Sequence, residues 1–322
     1  MSGLDAADET PSRRNLDLDW VLGTRVNRSA VERRAATLTP RRSVKREWQA
    51  AWLLRALSLI DLTTLAGDDT PGRVTRLCAK ARRPLRADLA SDLDVAHAEL
   101  RVAAVCVHHR LVGAAKRALD GSSMPVAAVA AGFPHGLSPL EQRTAEVRAS
   151  AEAGADEIDV VITRGLALRG DWEALHREIL AFREAAGWAH LKVILGTGDL
   201  ATLTQVARAS LVAMMAGADF VKTSTGKESR NATLPVGLVM ARQIREFAER
   251  TGIRVGFKPA GGISTAKDAL AWLVLMKDEL GDDWLVPARF RFGASSLLAD
   301  IERQLEHFVT GRYSAFHRHP LG

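Results

Sequence analysis

A (β/α)8 barrel with a helical N-terminal extension is the fold class this sequence predicts, and three observations predict it. From about Ala103 onward, short apolar or β-branched runs alternate with amphipathic helical stretches, the rhythm of βαβ units and a parallel sheet. The runs end in Gly, Pro or polar residues, as strands do where they pass the chain to a loop. The spacing of these units over roughly 200 residues suits eight of them closing on one another. An open, doubly wound sheet is the alternative, and strand counting by itself does not exclude it.

The strand candidates are Ala103–His108, Pro125–Pro134, Glu157–Ile162, Leu191–Gly198, Phe220–Gly226, Val255–Gly262 and Arg289–Ser295. An eighth, weak one is Trp272–Met276, inside a segment that otherwise reads as helix. Helices are expected over Leu140–Ala153, Asp171–Ala186, Leu200–Ala216 and Pro235–Thr251. No repeat, low-complexity tract or Pro/Gly/Ser linker divides the body. Residues 1–46 therefore read as an Arg-rich extension, largely helical or partly disordered, and residues 47–322 as a single catalytic domain with a C-terminal tail.

With 322 residues, 47% of them hydrophobic and 25% charged, the chain can bury a core without disulfide or metal staples. Its apolar runs, such as Met124–Phe133, fall well short of the ~20 residues a membrane span needs. Acids at Asp5, Asp8 and Glu9, with no apolar run beside them, argue against a signal peptide. Cys78 and Cys106 are the only cysteines, which fits free thiols in a reducing, cytoplasmic setting.

The net charge is +6, and residues 1–46 hold ten basic against six acidic side chains. The arginine pairs Arg13-Arg14, Arg33-Arg34 and Arg41-Arg42 admit a nucleic-acid arm, since clustered arginines neutralise phosphates. Trp20 is the only aromatic residue before Trp48, so base-stacking groups are missing, and a solvated helical lead-in is favoured.

In a parallel barrel, functional groups gather at the C-terminal ends of strands. Strand alternation puts Phe220, Lys222 and Ser224 on one face. A mid-strand lysine is costly unless paired or used. A second, Lys258, lies in the next strand candidate, Val255-Gly256-Phe257-Lys258-Pro259-Ala260-Gly261-Gly262. Two ammonium groups facing one cavity disfavour protonation, so one lysine is expected to have a depressed pKa and to serve as a Schiff-base nucleophile. Asp159, on the same strand face as Glu157, reads either as counter-ion and proton shuttle or as a plain buried ion pair.

Three glycine-bearing turns follow late strands: Thr225-Gly226-Lys227, Gly261-Gly262-Ile263-Ser264 and Gly293-Ala294-Ser295-Ser296. Loops there, backed by helix N-termini, are the usual phosphate site of a barrel. Competing signals are poorer. Gly196-Thr197-Gly198-Asp199-Leu200-Ala201 has a dinucleotide-type pattern, but its acid, Asp219, begins the next strand rather than ending it. Thr223–Lys227 lacks the first glycine of a Walker loop, and Glu228 follows its lysine. The nine histidines show no H-E-x-x-H grouping, and His108 with His135 is the one conceivable pair, so neither a metal nor a cofactor is expected. Cys106 reads as a buried small apolar residue.

Asp61 in Leu59-Ile60-Asp61-Leu62-Thr63-Thr64-Leu65, Cys106 in Ala-Ala-Val-Cys-Val, the strand Glu157–Val161, the run Gly217–Lys227 and the run Gly256–Gly262 together resemble the deoxyribose-phosphate aldolase family. The likeness runs from about Ser58 to Glu302, and the N-terminus and the ending Val309–Tyr313 are similar to its longer, animal-type branch. The resemblance implies a metal-independent Schiff-base aldolase that cleaves 2-deoxyribose 5-phosphate reversibly to glyceraldehyde 3-phosphate and acetaldehyde. It implies Lys222 as the Schiff-base lysine, Lys258 as the group that lowers its pKa, and Asp159 as proton donor and acceptor. Gly226, Lys227, Gly261, Gly262, Gly293 and Ser295 would hold the phosphate, with Ser296 nearby, and Asp61, Cys106 and Thr225 would line the site. The sequence departs from the family pattern at Gly196, where many bacterial members have Glu, and at Ser264, where Arg is usual. A phosphosugar partner and a homodimer are expected. The alternatives are another phosphosugar Schiff-base aldolase or a transaldolase, or a binding role carried by the extension.

Overall fold

The computed structural model describes residues 15–41, 44–96 and 99–319. Asp5, Asp8, Glu9, Arg13, Arg14 and Arg42 lie outside the described residues. Eight parallel strands form the barrel: β1 (Ile60–Thr63), β2 (Ala104–His108), β3 (Val126–Ala130), β4 (Glu157–Val161), β5 (His190–Ile194), β6 (Phe220–Lys222), β7 (Gly256–Lys258) and β8 (Phe292–Ala294). Neighbours follow chain order, and β1 also pairs with β8. Parallel bridges Phe257–Phe290 and Ala260–Gly293 join β7 to β8. The sheet thus closes on itself, which settles the matter against an open doubly wound sheet.

The eighth strand is not Trp272–Met276. That segment lies within the helix Ala266–Leu280, where Trp272, Leu273, Val274, Leu275 and Met276 are all buried. A helix pressed between the barrel and neighbouring helices is apolar on most of its circumference, and such a stretch mimics a buried strand. The eighth strand is instead β1, which follows the helix Arg46–Ser58 with only Leu59 between. It carries a charged residue and no Gly or Pro break ahead of it, so its composition hides it.

Along each strand, alternation divides the side chains between two environments. Leu62, Val105, Val107, Ile158, Val160, Leu191, Val193, Val221 and Phe257 belong to the buried core between barrel and helices. The barrel interior is different. Cys106, Ala127 and Val129 form a small apolar cluster of their own there, and the rest is charged: Asp61, Glu157, Asp159, Lys192, Lys222, Lys258 and Arg291 are all buried.

The N-terminal helices Leu18–Gly23, Arg28–Ala36 and Leu38–Arg41 pack on the helices Leu203–Met215, Leu234–Thr251 and Ala266–Leu280. Asp17 and Asn27 cap the first two by accepting from the Trp20 and Ala30 amides. Val21, Val31, Ala35 and Leu38 are buried. Trp20 stacks on Phe247 with ring centroids 5.9 Å apart and donates to Glu246 Oε1 at 3.1 Å. Arg34 pairs with Asp278 at 3.0 Å, and Arg28 pairs with Glu32. These arginines are therefore engaged within the protein. Among the described residues, no helix is long and apolar enough to cross a membrane.

Gly237, inside the helix Leu234–Thr251, faces Trp272 so closely that an added Cβ would sit 2.1 Å from the indole. Gly to Ala inside a helix ordinarily gains about 1 kcal/mol. Here the buried indole cannot yield, and overpacking of about 1–3 kcal/mol wins. Gly237→Ala is expected to lower the urea midpoint of unfolding, which equilibrium denaturation measures.

Candidate active site

Lys222 and Lys258 are register partners on β6 and β7, so strand pairing alone puts two ammonium groups side by side inside the barrel. Asp159, on β4, reaches both. Its Oδ2 is 2.7 Å from Lys222 Nζ and 2.8 Å from Lys258 Nζ. Lys258 has a second carboxylate, Asp61 Oδ2, at 2.5 Å. Deeper in the barrel, Lys192 contacts Glu157, lies 3.2 Å from Asp61 Oδ2 and 3.4 Å from Asp159 Oδ1. Arg291 closes the layer with Asp61 Oδ1 at 2.6 Å and Glu157 Oε1 at 2.8 Å.

Four cations thus meet three carboxylates in the buried interior of the barrel. Burial disfavours every charge, and each ion stays charged only where its partners outweigh that cost. Burial would raise Asp159 and Asp61, yet the surrounding ammonium and guanidinium groups hold both well below the usual carboxylate range. Burial would lower Lys258, Lys192 and Arg291, but two or more carboxylates around each hold them above their ordinary values. Lys222 has a single carboxylate partner. Burial lowers its pKa, the neighbouring Lys258 ammonium adds to that, and Asp159 does not fully compensate. The surplus proton of the cluster is therefore held most weakly at Lys222. Cys106 is buried beside this cluster, and burial pushes its thiol up.

A cavity of about 250 Å³ opens at the C-terminal ends of the strands, with Lys222 in its lining. Thr225, Gly226, Lys227, Gly261, Gly262, Gly293, Ser295 and Ser296 also line it, together with Thr63 and Ser264. Lys258, Asp159, Asp61 and Cys106 do not; they lie behind Lys222 in the barrel interior. The structure thus separates the two strand lysines, which the sequence placed on one cavity: one faces the space and one faces carboxylates.

The chemistry of the rim is that of an anion cradle. The N–H groups of Gly262, Ile263, Ser295 and Ser296 donate to no other group among the described residues. The helix Leu297–Thr310 starts directly behind Ser296, which makes no side-chain cap, so its positive end faces the cavity. Gly261 and Gly262 both have positive φ, 78° and 77°, and a Cβ on Gly261 would lie 2.6 Å from the Asn231 side chain, so a larger residue cannot take this turn. The Gly226 N–H is different: it donates to Glu228 Oε2 at 3.2 Å. Among the described residues, no group of three or more His, Cys, Asp or Glu could hold a metal ion.

Lys192 and Arg291 are the members of the cluster that sequence reasoning passed over. A signal existed for Lys192, since Leu191-Lys192-Val193-Ile194 holds a lysine in mid-strand between apolar neighbours. Arg291 sits at the edge of β8, where an arginine reads as an ordinary strand end.

A family model described as DeoC/LacD family aldolase matches residues 55–303. The chain is 59% identical over 308 residues to a deoxyribose-phosphate aldolase of Mus musculus, covering 95% of this chain and 97% of that one. It is 58% identical over 308 residues to a deoxyribose-phosphate aldolase of Homo sapiens, with the same 95% and 97% coverage. A solved tetrameric deoxyribose phosphate aldolase from Aeropyrum pernix matches with a TM-score of 0.59 at 24% identity, covering 82% of this chain and 98% of that one; at that identity the shared property is the fold.

Arg291→Met removes the guanidinium that Asp61 and Glu157 share and leaves buried carboxylates short of a partner. Breaking such a set costs about 3–5 kcal/mol. The measurement is chemical denaturation near neutral pH, and a loss under 1 kcal/mol, roughly the worth of an exposed pair, would contradict the buried network.

Proposed function

The chain belongs to the DeoC/LacD family of aldolases, and we propose that it cleaves 2-deoxy-D-ribose 5-phosphate reversibly to D-glyceraldehyde 3-phosphate and acetaldehyde through a Schiff base on Lys222. The observation that carries this reading is the asymmetry of the buried strand lysines: of Lys192, Lys222 and Lys258, only Lys222 lines the cavity, and it is the one whose pKa falls.

In the cleavage direction, the neutral Lys222 amine attacks the C1 aldehyde of the open-chain sugar. Asp159, touching both Lys222 and Lys258, relays the protons that let the carbinolamine oxygen leave as water. The iminium is an electron sink. Loss of the C3 hydroxyl proton breaks the C2–C3 bond, its electron pair moves into the iminium as an enamine, and C3 becomes the aldehyde of glyceraldehyde 3-phosphate. Protonation of the enamine at C2 and hydrolysis release acetaldehyde and regenerate the amine.

Lys258 keeps its proton because Asp61 and Asp159 flank it, so a positive charge always stands beside Lys222 and favours the neutral amine. Asp61 serves by anchoring Lys258. The 5-phosphate is held by the Lys227 ammonium, the free N–H groups of Gly262 and Ser295, the Ser295 and Ser296 hydroxyls and the bare Cα atoms of Gly261 and Gly293. Gly226, its N–H engaged by Glu228, contributes the bend of its loop, and Thr225 supports the same loop. Ser264 adds a hydroxyl at the rim where the family pattern has a guanidinium. A cytoplasmic location is supported by two free, buried cysteines. A homodimer is the proposed assembly, and sedimentation equilibrium checks it.

Borohydride reduction in the presence of acetaldehyde is expected to place a two-carbon adduct on Lys222, found by peptide mass spectrometry and lost in Lys222→Ala. No adduct on any lysine of a folded sample would sink the proposal. Lys258→Leu removes the cation that disfavours the Lys222 ammonium. The pH at which trapping reaches half its maximal rate is then expected to move upward, whereas an unmoved profile would show that Lys258 does not tune Lys222.

A further inference from the structure

Four loops at the rim of the barrel converge on one side chain that neither the cavity nor the lysine cluster contains. Arg164, the first residue of the helix Arg164–Arg169 after β4, donates to Pro134 O at 3.2 Å and His135 O at 3.0 Å in the loop after β3. It pairs with Asp199 at 2.9 Å in the loop after β5 and with Glu228 at 2.9 Å in the loop after β6. Gly196 makes this crossing possible: a Cβ there would sit 2.2 Å from Arg164 Nε. The glycine that departs from the family pattern is thus the passage through which the guanidinium runs.

Glu228 carries the effect to the cavity. Its buried carboxylate accepts from the Thr225 amide at 3.0 Å, the Thr225 hydroxyl at 2.7 Å and the Gly226 amide at 3.2 Å. The Lys227 amide in turn donates to Thr225 Oγ1 at 3.1 Å. The loop Thr225–Lys227 is therefore folded around a carboxylate, and its direction into the cavity follows from where that carboxylate is held. A buried anion behind a cradle for a second anion would repel it unless neutralised, and Arg164 supplies the neutralising charge.

We propose that Glu228 and Arg164 are a positioning pair for phosphate recognition: Glu228 shapes the Thr225–Lys227 loop, and Arg164 cancels its charge and locks it to the neighbouring loops. The pair touches no reacting atom. This inference rests on the reading of the site as a deoxyribose-phosphate aldolase and adds two residues and a specificity role to it. It also separates the loops at the cavity by function. The turn after β6 presents the Lys227 ammonium, while the turns after β7 and β8 present backbone N–H groups.

The test compares kcat and KM for deoxyribose 5-phosphate and for deoxyribose without phosphate in the wild type, Glu228→Gln, Arg164→Met and the double variant. A misdirected loop weakens phosphate binding more than chemistry, and displacements of about 1 Å can cost up to about a hundredfold. Arg164→Met is expected to raise KM for the phosphorylated sugar about tenfold or more, with kcat changed less than about threefold. The preference for the phosphorylated sugar should shrink accordingly. Adding Glu228→Gln removes the uncompensated carboxylate, so the double variant should recover part of the loss, a coupling that a merely structural role would not produce.

Equal loss on both sugars, an unchanged preference, or additive losses in the double variant would each overturn the proposal. If Arg164→Met does not fold, Glu228→Gln and Arg164→Lys carry the same comparison, with inorganic phosphate binding by calorimetry as a readout without turnover. A wild-type protein that cleaves neither sugar overturns the aldolase reading itself, and this inference with it.

Discussion

Asp159 holds the barrel interior together. One carboxylate oxygen meets two ammonium groups, and a layer of Asp61, Glu157, Lys192 and Arg291 beneath fixes where that oxygen sits. Charges at this depth survive only in mutual contact, so every member depends on the placement of the others. The surplus of one cation is what makes the arrangement more than a buried salt bridge. With four cations sharing three carboxylates, the weakest-held proton falls at the lysine with a single carboxylate partner, which is the one that opens onto the cavity. Stability and reactivity therefore come from the same electrostatic imbalance.

The architecture around this cluster serves to keep it dry and still. Apolar side chains on the outer faces of the strands pack under the helices, and the strand register places Lys222 beside Lys258 and Asp159 beside Lys192. The N-terminal helices add a further apolar cover on one flank, and their buried Val21, Val31 and Leu38 make them part of the core instead of a free arm. At the opposite end of the helix Leu297–Thr310 from the cavity, the tail docks back on that helix through His319, which lies 2.8 Å from Glu306 Oε2. Tyr313, largely exposed, packs its ring at a tilt on His307 near the end of the same helix, remote from the Ser296 end that faces the site.

Much of this was readable one residue at a time. The alternation of runs and helices located seven of the strands, and a lysine in the middle of an apolar run marked Lys222 and Lys258 as expensive and therefore purposeful. Glycine doublets after strands marked the rim. What escaped was whatever depended on a partner far away in sequence. β1 carries Asp61 where a strand pattern wants an apolar residue, and only cations far along the chain, Lys192, Lys258 and Arg291, make that position tolerable. The middle of the helix Ala266–Leu280, Trp272–Met276, is apolar all round because neighbours cover it on several sides, a fact that no local window contains.

Sequence by itself determined a parallel α/β fold, the chemistry-bearing residue types and the end of the strands where they gather, because those follow from periodicity, desolvation cost and the φ freedom of glycine. Tertiary structure alone decided which lysine faces the cavity and which faces two carboxylates. That choice rests on distances across the barrel between β1, β4, β6 and β7, and ionisation is set by such distances rather than by the residue's neighbours in the chain. The same holds for Gly196 and Glu228. They look like a departure and a stray acid in the sequence, and acquire meaning once Arg164 is seen to pass between them.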